Sequence, residues 1–249
     1  MSTAEEDFND EFQDYNKYPS IPYMHIRNRQ SLANGLITFG VTNFFNCYSI
    51  INIDIIKGVL FRKKKLTFDE AYPFALNKLV DSIRIISCFE NYMKAHLLIN
   101  DFVVHSIYAK KGDRDYKKYM ELREEQSKRP IKLSELLAVS LFIKSNVHPM
   151  ASTLPGITNF TVTFSKLLSE KYQEEIKLPS EVLRILNDMN EVRNNVHLYY
   201  SGRVDINGQT YNDLLTLNHF IDNTIHPMRN YLDGILKPPT NPDQPQKGV

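Results

Sequence analysis

The chain has 249 residues, with 30 basic and 29 acidic side chains, a formal net charge of +1, 42% hydrophobic residues and 24% charged residues. That length suffices for one generous core, and the ordinary balance of apolar and charged residues excludes extensive disorder, a collagen-like repeat or a polytopic membrane protein. Near-neutral charge neither steers the chain to nucleic acid nor away from it. Cys47 and Cys88 stand far apart with no CxxC or Cys/His cluster, so neither a disulfide framework nor a zinc site is expected, and a cytoplasmic home without metal or cofactor follows.

Residues 1–24 open with Glu5, Glu6, Asp7, Asp10, Glu11 and Asp14 among few apolar anchors, which reads as a mobile acidic tail with no secretory signal. From Leu32 to Ile53 no formal charge occurs, and Arg62, Lys63, Lys64 and Lys65 follow. Asn34, Asn43, Asn46 and Asn52 would each need a hydrogen-bond partner in hydrocarbon, so this segment reads as a buried helix or an apolar partner surface, and no membrane span is expected. The isoleucine-rich stretch 50–60 fits strand or helix equally.

Thr67 and Glu70 have capping-box spacing, with Pro73 expected to delay the regular helix by a turn. The apolar stripe that follows runs Leu76, Leu79, Val80, Ile83, Ile86, Met93 and Leu97, and Glu90 falls on it. Further helices are expected over 134–146, over 158–172 and from an N-cap at Ser180 to about Tyr200, where Ser201-Gly202 is a stop signal. Residues 204–208 look like a tight turn or a very short hairpin, and 211–232 returns to helical spacing with a break at Pro227. Four prolines between Pro238 and Pro245 make residues 237–249 an extended tail. The expectation is an all-α bundle over residues 25–236, with a long central helix pair, an extra N-terminal helical segment and no central sheet.

On the helix after Ser180, Arg193 and His197 are four apart, so their side chains diverge by about 40° around the axis and face one space. Both border the stripe through Leu186, Met189 and Val196. A partly desolvated imidazole beside a guanidinium is a base usable at neutral pH. RNA carries its own nucleophile, the 2′-hydroxyl, so cleavage needs a proton acceptor, a proton donor and a group that stabilises the anionic phosphorus. His197 suits the proton transfer and Arg193 the charge, while Asn194 or Asn195 can orient base or phosphate. One helix offers one histidine, and a two-fold dimer would supply the second proton-transfer group. Arginine and histidine at this spacing also arise on ordinary helices, where the histidine packs at the stripe edge.

The segment Glu191-Val192-Arg193-Asn194-Asn195-Val196-His197-Leu198-Tyr199 resembles the signature helix of the HEPN superfamily, and Phe89-Glu90-Asn91-Tyr92-Met93-Lys94-Ala95-His96-Leu97-Leu98 resembles an earlier helix of that family. The resemblance implies an all-helical, dimeric, metal-independent ribonuclease of phage defence, a toxin system or RNA processing, with an antitoxin or sensor protein as a further partner. Carried over, Arg193 and His197 match the catalytic pair, Asn194 the polar residue after the arginine, and Glu90 the acidic residue expected to pair with Arg193. The competing partner for Glu90 is Lys94 at i, i+4. Three residues separate Arg193 from His197 where the family pattern has four to six, a spacing that still keeps both on one side of a helix. Tyr199 matches a tyrosine that is modified in some members, although packing explains most tyrosines in a chain with 14 of them. Arg62, Lys63, Lys64 and Lys65 are candidates to hold an RNA backbone, together with Asn195. The second basic cluster, around Lys117 and Lys118, is interleaved with acidic residues and reads as a solvated face. His148-Pro149 and His226-Pro227 read as helix punctuation, and no phosphate-binding glycine loop occurs. The alternative is a non-catalytic HEPN-like helical module that binds RNA or a protein.

Overall fold

The computed structural model describes residues 21–108, 111–112, 115–140, 143–144, 152–154, 156–195 and 208–237. In chain order, a single turn α1 (Ile21–Met24) leads into α2 (Ile26–Phe45), and α3 (Tyr48–Ile51) and α4 (Ile53–Phe61) connect it to α5 (Phe68–Ile99), which has 32 residues. Then come β1 (His105–Ile107), α6 (Tyr116–Lys128), α7 (Leu133–Val139), β2 (Ile143–Lys144), β3 (Ser152–Thr153), β4 (Ile157–Thr161), α8 (Phe164–Leu167) and α9 (Glu170–Ile176). The C-terminal part holds α10 (Ser180–Asn195), α11 (Gly208–Phe220), a π-helical turn over Ile221–Ile225 and α12 (His226–Leu236). The fold is all-α: among the described residues the strands form only two antiparallel ribbons, β1 with β4 and β2 with β3.

The long helix α5 starts where its local chemistry says it should. Glu70 N–H donates to Thr67 Oγ1 at 3.3 Å and Thr67 N–H to Glu70 Oε2 at 3.0 Å, so two of the donors orphaned at a helix start are satisfied reciprocally. Pro73 does not delay the helix; it lies inside it. The bond it forgoes is to the carbonyl of Asp69, an exposed first-turn residue, where water can take the vacant acceptor at little cost.

The second half of α5 is buried through Phe89, Met93 and Leu97. Its first half is turned differently from the stripe that the spacing predicts. Phe74, Asp81, Ser82 and Ile85 face the core, while Leu76, Val80 and Ile83 stay exposed. Asp81 explains the phase. Its carboxylate accepts the backbone N–H groups of Tyr48 and Ser49, each at 2.8 Å, and the Ser49 hydroxyl at 2.6 Å. It therefore caps α3 from a neighbouring helix, and the three bonds offset the cost of burying the charge. On the adjacent face α2 comes so close that a Cβ on Gly40 would stand 3.1 Å from the Cα and carbonyl oxygen of Cys88. Only glycine permits that approach without displacement of backbone.

Several boundaries differ from the periodicity reading. Ile21–Met24, placed by composition in the acidic tail, forms a helical turn and buries Tyr23. The stretch 50–60 is helical, in α3 and α4. The helix expected over 134–146 stops at Val139, since Ser140 is extended at φ −130°, ψ 133°. In place of a helix over 158–172, the branched residues Ile157, Thr158 and Thr161 form β4, held by Tyr108 N–H to Gly156 O at 2.7 Å and Val162 N–H to Val104 O at 2.8 Å. Pro227 does not break the C-terminal helix. The chain widens into the π turn just before it, which removes the clash a proline ring makes in a regular α-helix. Among the described residues no helix is long and apolar enough to cross a membrane. Residues 1–20, 196–207 and 238–249 lie outside the described part, including the expected tails, the turn at 204–207 and the end of the site helix.

Candidate functional site

Helix α10 carries Arg193 in its last turn. Val182, Ile185 and Leu186 are buried, as their spacing predicts, and anchor the helix to the core. Leu183 N–H donates to Pro179 O at 2.9 Å, so Ser180 is the first helical residue and not the cap. Arg184 fastens the outer side with Nη2 to Asp213 Oδ1 at 2.7 Å and Nη1 to Asp188 Oδ2 at 3.0 Å. Arg193 is half-buried, and among the described residues nothing accepts a hydrogen bond from its guanidinium. Asn194 and Asn195 continue the helical backbone; their side chains, and His197 and Tyr199, lie outside the described part.

Glu90 is not placed beside Arg193. Its Oε1 accepts from Lys94 Nζ at 2.5 Å, and Lys94 also donates to Thr161 Oγ1 at 2.8 Å. The directions of the helices give the reason. Gln173, just before α10, reaches Met93 near the far end of α5, whereas Ile185 and Met189 share a cleft with Phe74, Lys78 and Ile85. α10 therefore runs opposite to α5, and its last turn falls near the level of Phe74. Glu90 is then on the order of 20 Å away along the axis at 1.5 Å per residue. Its carboxylate takes the local i, i+4 partner.

At the Phe74 end of α5 other expected features do gather. Arg62, Lys63, Lys64 and Lys65 form the exposed link between α4 and α5. Lys63 adopts a left-handed conformation, φ 53°, and Lys64 is engaged by Glu70 at 2.7 Å. Phe61, beside this run, packs edge-on against Tyr211 near the start of α11, with ring centroids 5.6 Å apart. A cleft of about 210 Å³ opens between α4, α5, α10 and α11, with an apolar floor at Ile56, Phe74 and Met189 and a polar rim at Lys78, Asp188 and Asp213. Met189 is one helical turn before Arg193, so the cleft and the guanidinium are neighbours on one helix.

A buried polar centre elsewhere has no counterpart in the sequence reading. Val104 and His105 donate backbone N–H groups to the Tyr23 hydroxyl at 3.0 and 3.1 Å. That hydroxyl donates in turn to His105 Nδ1 at 2.7 Å, which leaves the ring proton of a neutral imidazole on Nε2. Burial, and secondarily the charge of Lys94, push the His105 pKa down to about 4. Burial also lowers His96, opposed by Glu175, and raises the thiol of Cys47 to about 12. Such a thiol stays protonated and unreactive. Nothing local in the sequence marks His105, because its partner Tyr23 lies 82 positions earlier.

No family model, no curated protein and no solved structure matches the chain.

Proposed function

We propose that the chain cleaves RNA without a metal, using Arg193, Asn194 and His197 at the end of α10. The observation that carries this reading is the half-buried Arg193, without a partner among the described residues, at the end of the bundle where Arg62–Lys65 emerge. A guanidinium with no carboxylate partner among the described residues is available to a phosphate and presents a planar fork of donors to its oxygens. The basic link supplies backbone attraction about ten residues further along the α5 direction. His197, four residues on, takes the proton of the 2′-hydroxyl as it attacks phosphorus; a 2′,3′-cyclic phosphate forms and the 5′-oxygen leaves with a proton taken from solvent water. Asn194 positions the phosphate. Glu90 has no part in this site. The setting that fits the resemblance to HEPN proteins is a defence or toxin system of the cytoplasm, with an antitoxin or sensor as partner.

The test is cleavage of labelled RNA with EDTA present. His197→Ala and Arg193→Ala are each expected to lower the rate on the order of 100-fold or more, the range for a lost proton-transfer or charge-stabilising group. Cleavage that requires a divalent metal, or survives His197→Ala, refutes the mechanism. One observation favours a second reading, a non-catalytic HEPN-like module that binds RNA or a protein: Glu90 is committed to Lys94 and not to Arg193. Under that reading wild type and His197→Ala bind RNA equally, with an affinity that falls steeply with salt, and neither cuts it.

A further inference from the structure

The first half of α5 turns an apolar face outward. Phe68 is 77% exposed, Tyr72 49%, Leu76 49%, Val80 41% and Ile83 47%. Spacings of four, four, four and three residues put all five on one side of the helix. Phe68 and Tyr72 stack with ring centroids 5.4 Å apart, so the upper part of the face is a continuous aromatic plate and the lower part is aliphatic. At 3.6 residues per turn, this face points about 180° away from Phe74, Asp81 and Ile85, which meet the core and α10.

We infer that this face is a two-fold interface on which a second copy of this chain lays its own α5 antiparallel, with Leu76 beside the dyad. Antiparallel pairing about Leu76 sets the aromatic plate of each copy on the aliphatic half of the other, Tyr72 against Val80. It also brings Asp69, which falls opposite Ile83, within about one residue of Arg84, twice by symmetry. Asp69 is exposed and no described residue pairs with its carboxylate; Arg84 donates to the exposed carbonyl of Asn46 and has donors to spare. A parallel pair would instead set Asp69 near Asp69 and Arg84 near Arg84, which like-charge repulsion disfavours. With ~150–250 Å² for a large side chain, the exposed fractions leave about 500 Å² per copy, or about 1,000 Å² for the pair, the lower bound of a specific interface.

The inference does not depend on RNA cleavage, but it bears on the site. Because α10 lies on the opposite side of α5, the pair carries its two α10 helices on the outer flanks, roughly 30 Å apart at ~10 Å per packed helix layer. The Arg193 groups then do not meet across this two-fold, and the composite site expected from the sequence is not what this interface builds.

Sedimentation of the full chain over roughly 1 to 200 µM is expected to reveal a monomer–dimer equilibrium. Leu76→Glu sets two carboxylates at the dyad and is expected to weaken association at least ~100-fold, with an unchanged circular dichroism spectrum because residue 76 is exposed in the monomer. Direction is read by oxidation: an equal mixture of Tyr72→Cys and Val80→Cys chains forms a disulfide between unlike chains. Either variant alone does not, since like positions are about 12 Å apart along the axis. Native Cys47 and Cys88 are buried and do not compete. A protein that stays monomeric throughout this range, a dimer indifferent to Leu76→Glu, or cross-links within the single variants and not the mixture, each overturns the inference.

Discussion

Acidification should expose the buried His105 as a pH-dependent weight on stability. The imidazole is 7% exposed, its Nδ1 is occupied by the Tyr23 hydroxyl, and Lys94 is the neighbouring cation. Protonation in place would cost the Tyr23 hydrogen bond and add a charge beside a charge. In the unfolded chain the ring takes a proton near its ordinary value of 6.5, whereas in the fold it does so only near 4. Between those values the unfolded state binds more protons, so stability falls as pH falls. The contribution is complete above about pH 7, and roughly 2–3 kcal/mol of it is gone by pH 4.5. The informative variant is His105→Asn, whose Oδ1 can accept from Tyr23 in place of Nδ1 but which cannot titrate. Urea unfolding of both proteins at pH 7.5, 5.5 and 4.5 gives the difference directly. The wild type is expected to lose that amount beyond what the variant loses, most of it below pH 6. Parallel stability curves would mean that His105 titrates alike in both states, and the assignment of a neutral, tyrosine-bound ring would be wrong.

Asp81→Ala leaves the N–H groups of Tyr48 and Ser49 without their acceptor and is expected to cost about 2–3 kcal/mol, read as a lower urea midpoint, with Asp81→Asn recovering part of it. A loss of under about 0.5 kcal/mol would mean that α3 is capped by other means. Gly40→Ala and Gly234→Ala should have opposite signs in thermal unfolding. At Gly40 the new methyl meets the Cys88 backbone at 3.1 Å, so overpacking of about 1–3 kcal/mol outweighs the gain in helix propensity. At Gly234, in the last turn of α12, nothing lies within 4 Å, so a propensity gain of up to about 1 kcal/mol stands alone.

Features that depend on neighbours in sequence were legible before any coordinates. The Thr67/Glu70 capping box and the buried series Val182, Ile185 and Leu186 follow from spacing alone, because a helix brings such residues together by its own geometry. The phase of α5 was not legible, since the helix is apolar on two sides. The choice between them was made by Asp81 reaching α3 over a separation of more than 30 residues. The short β4 strand escaped for a similar reason: its branched residues fit either pattern until β1 offers backbone partners. In the candidate site, the place of Arg193 on α10 is local and readable. The choice for Glu90 between Arg193 and Lys94 was not, because it depends on whether α10 runs with or against α5, and spacing within one helix carries no information about the direction of another.

The first long helix, α2, and the last helix of the described bundle, α12, are neighbours. Asn34 Nδ2 donates to Asp233 Oδ1 at 2.8 Å and Arg27 to the Leu236 carbonyl at 3.2 Å, across separations of 199 and 209 residues. During synthesis α2 emerges long before α12 exists. It can settle early on α5, but the side reserved for α12 must stay bare until almost the whole bundle has been made. Contacts of such long range are formed late and slow folding, and the apolar edge they leave open meanwhile is where a nascent chain sticks to others. The helix that closes the bundle thus also fixes the moment at which the molecule becomes safe from its own neighbours on the polysome.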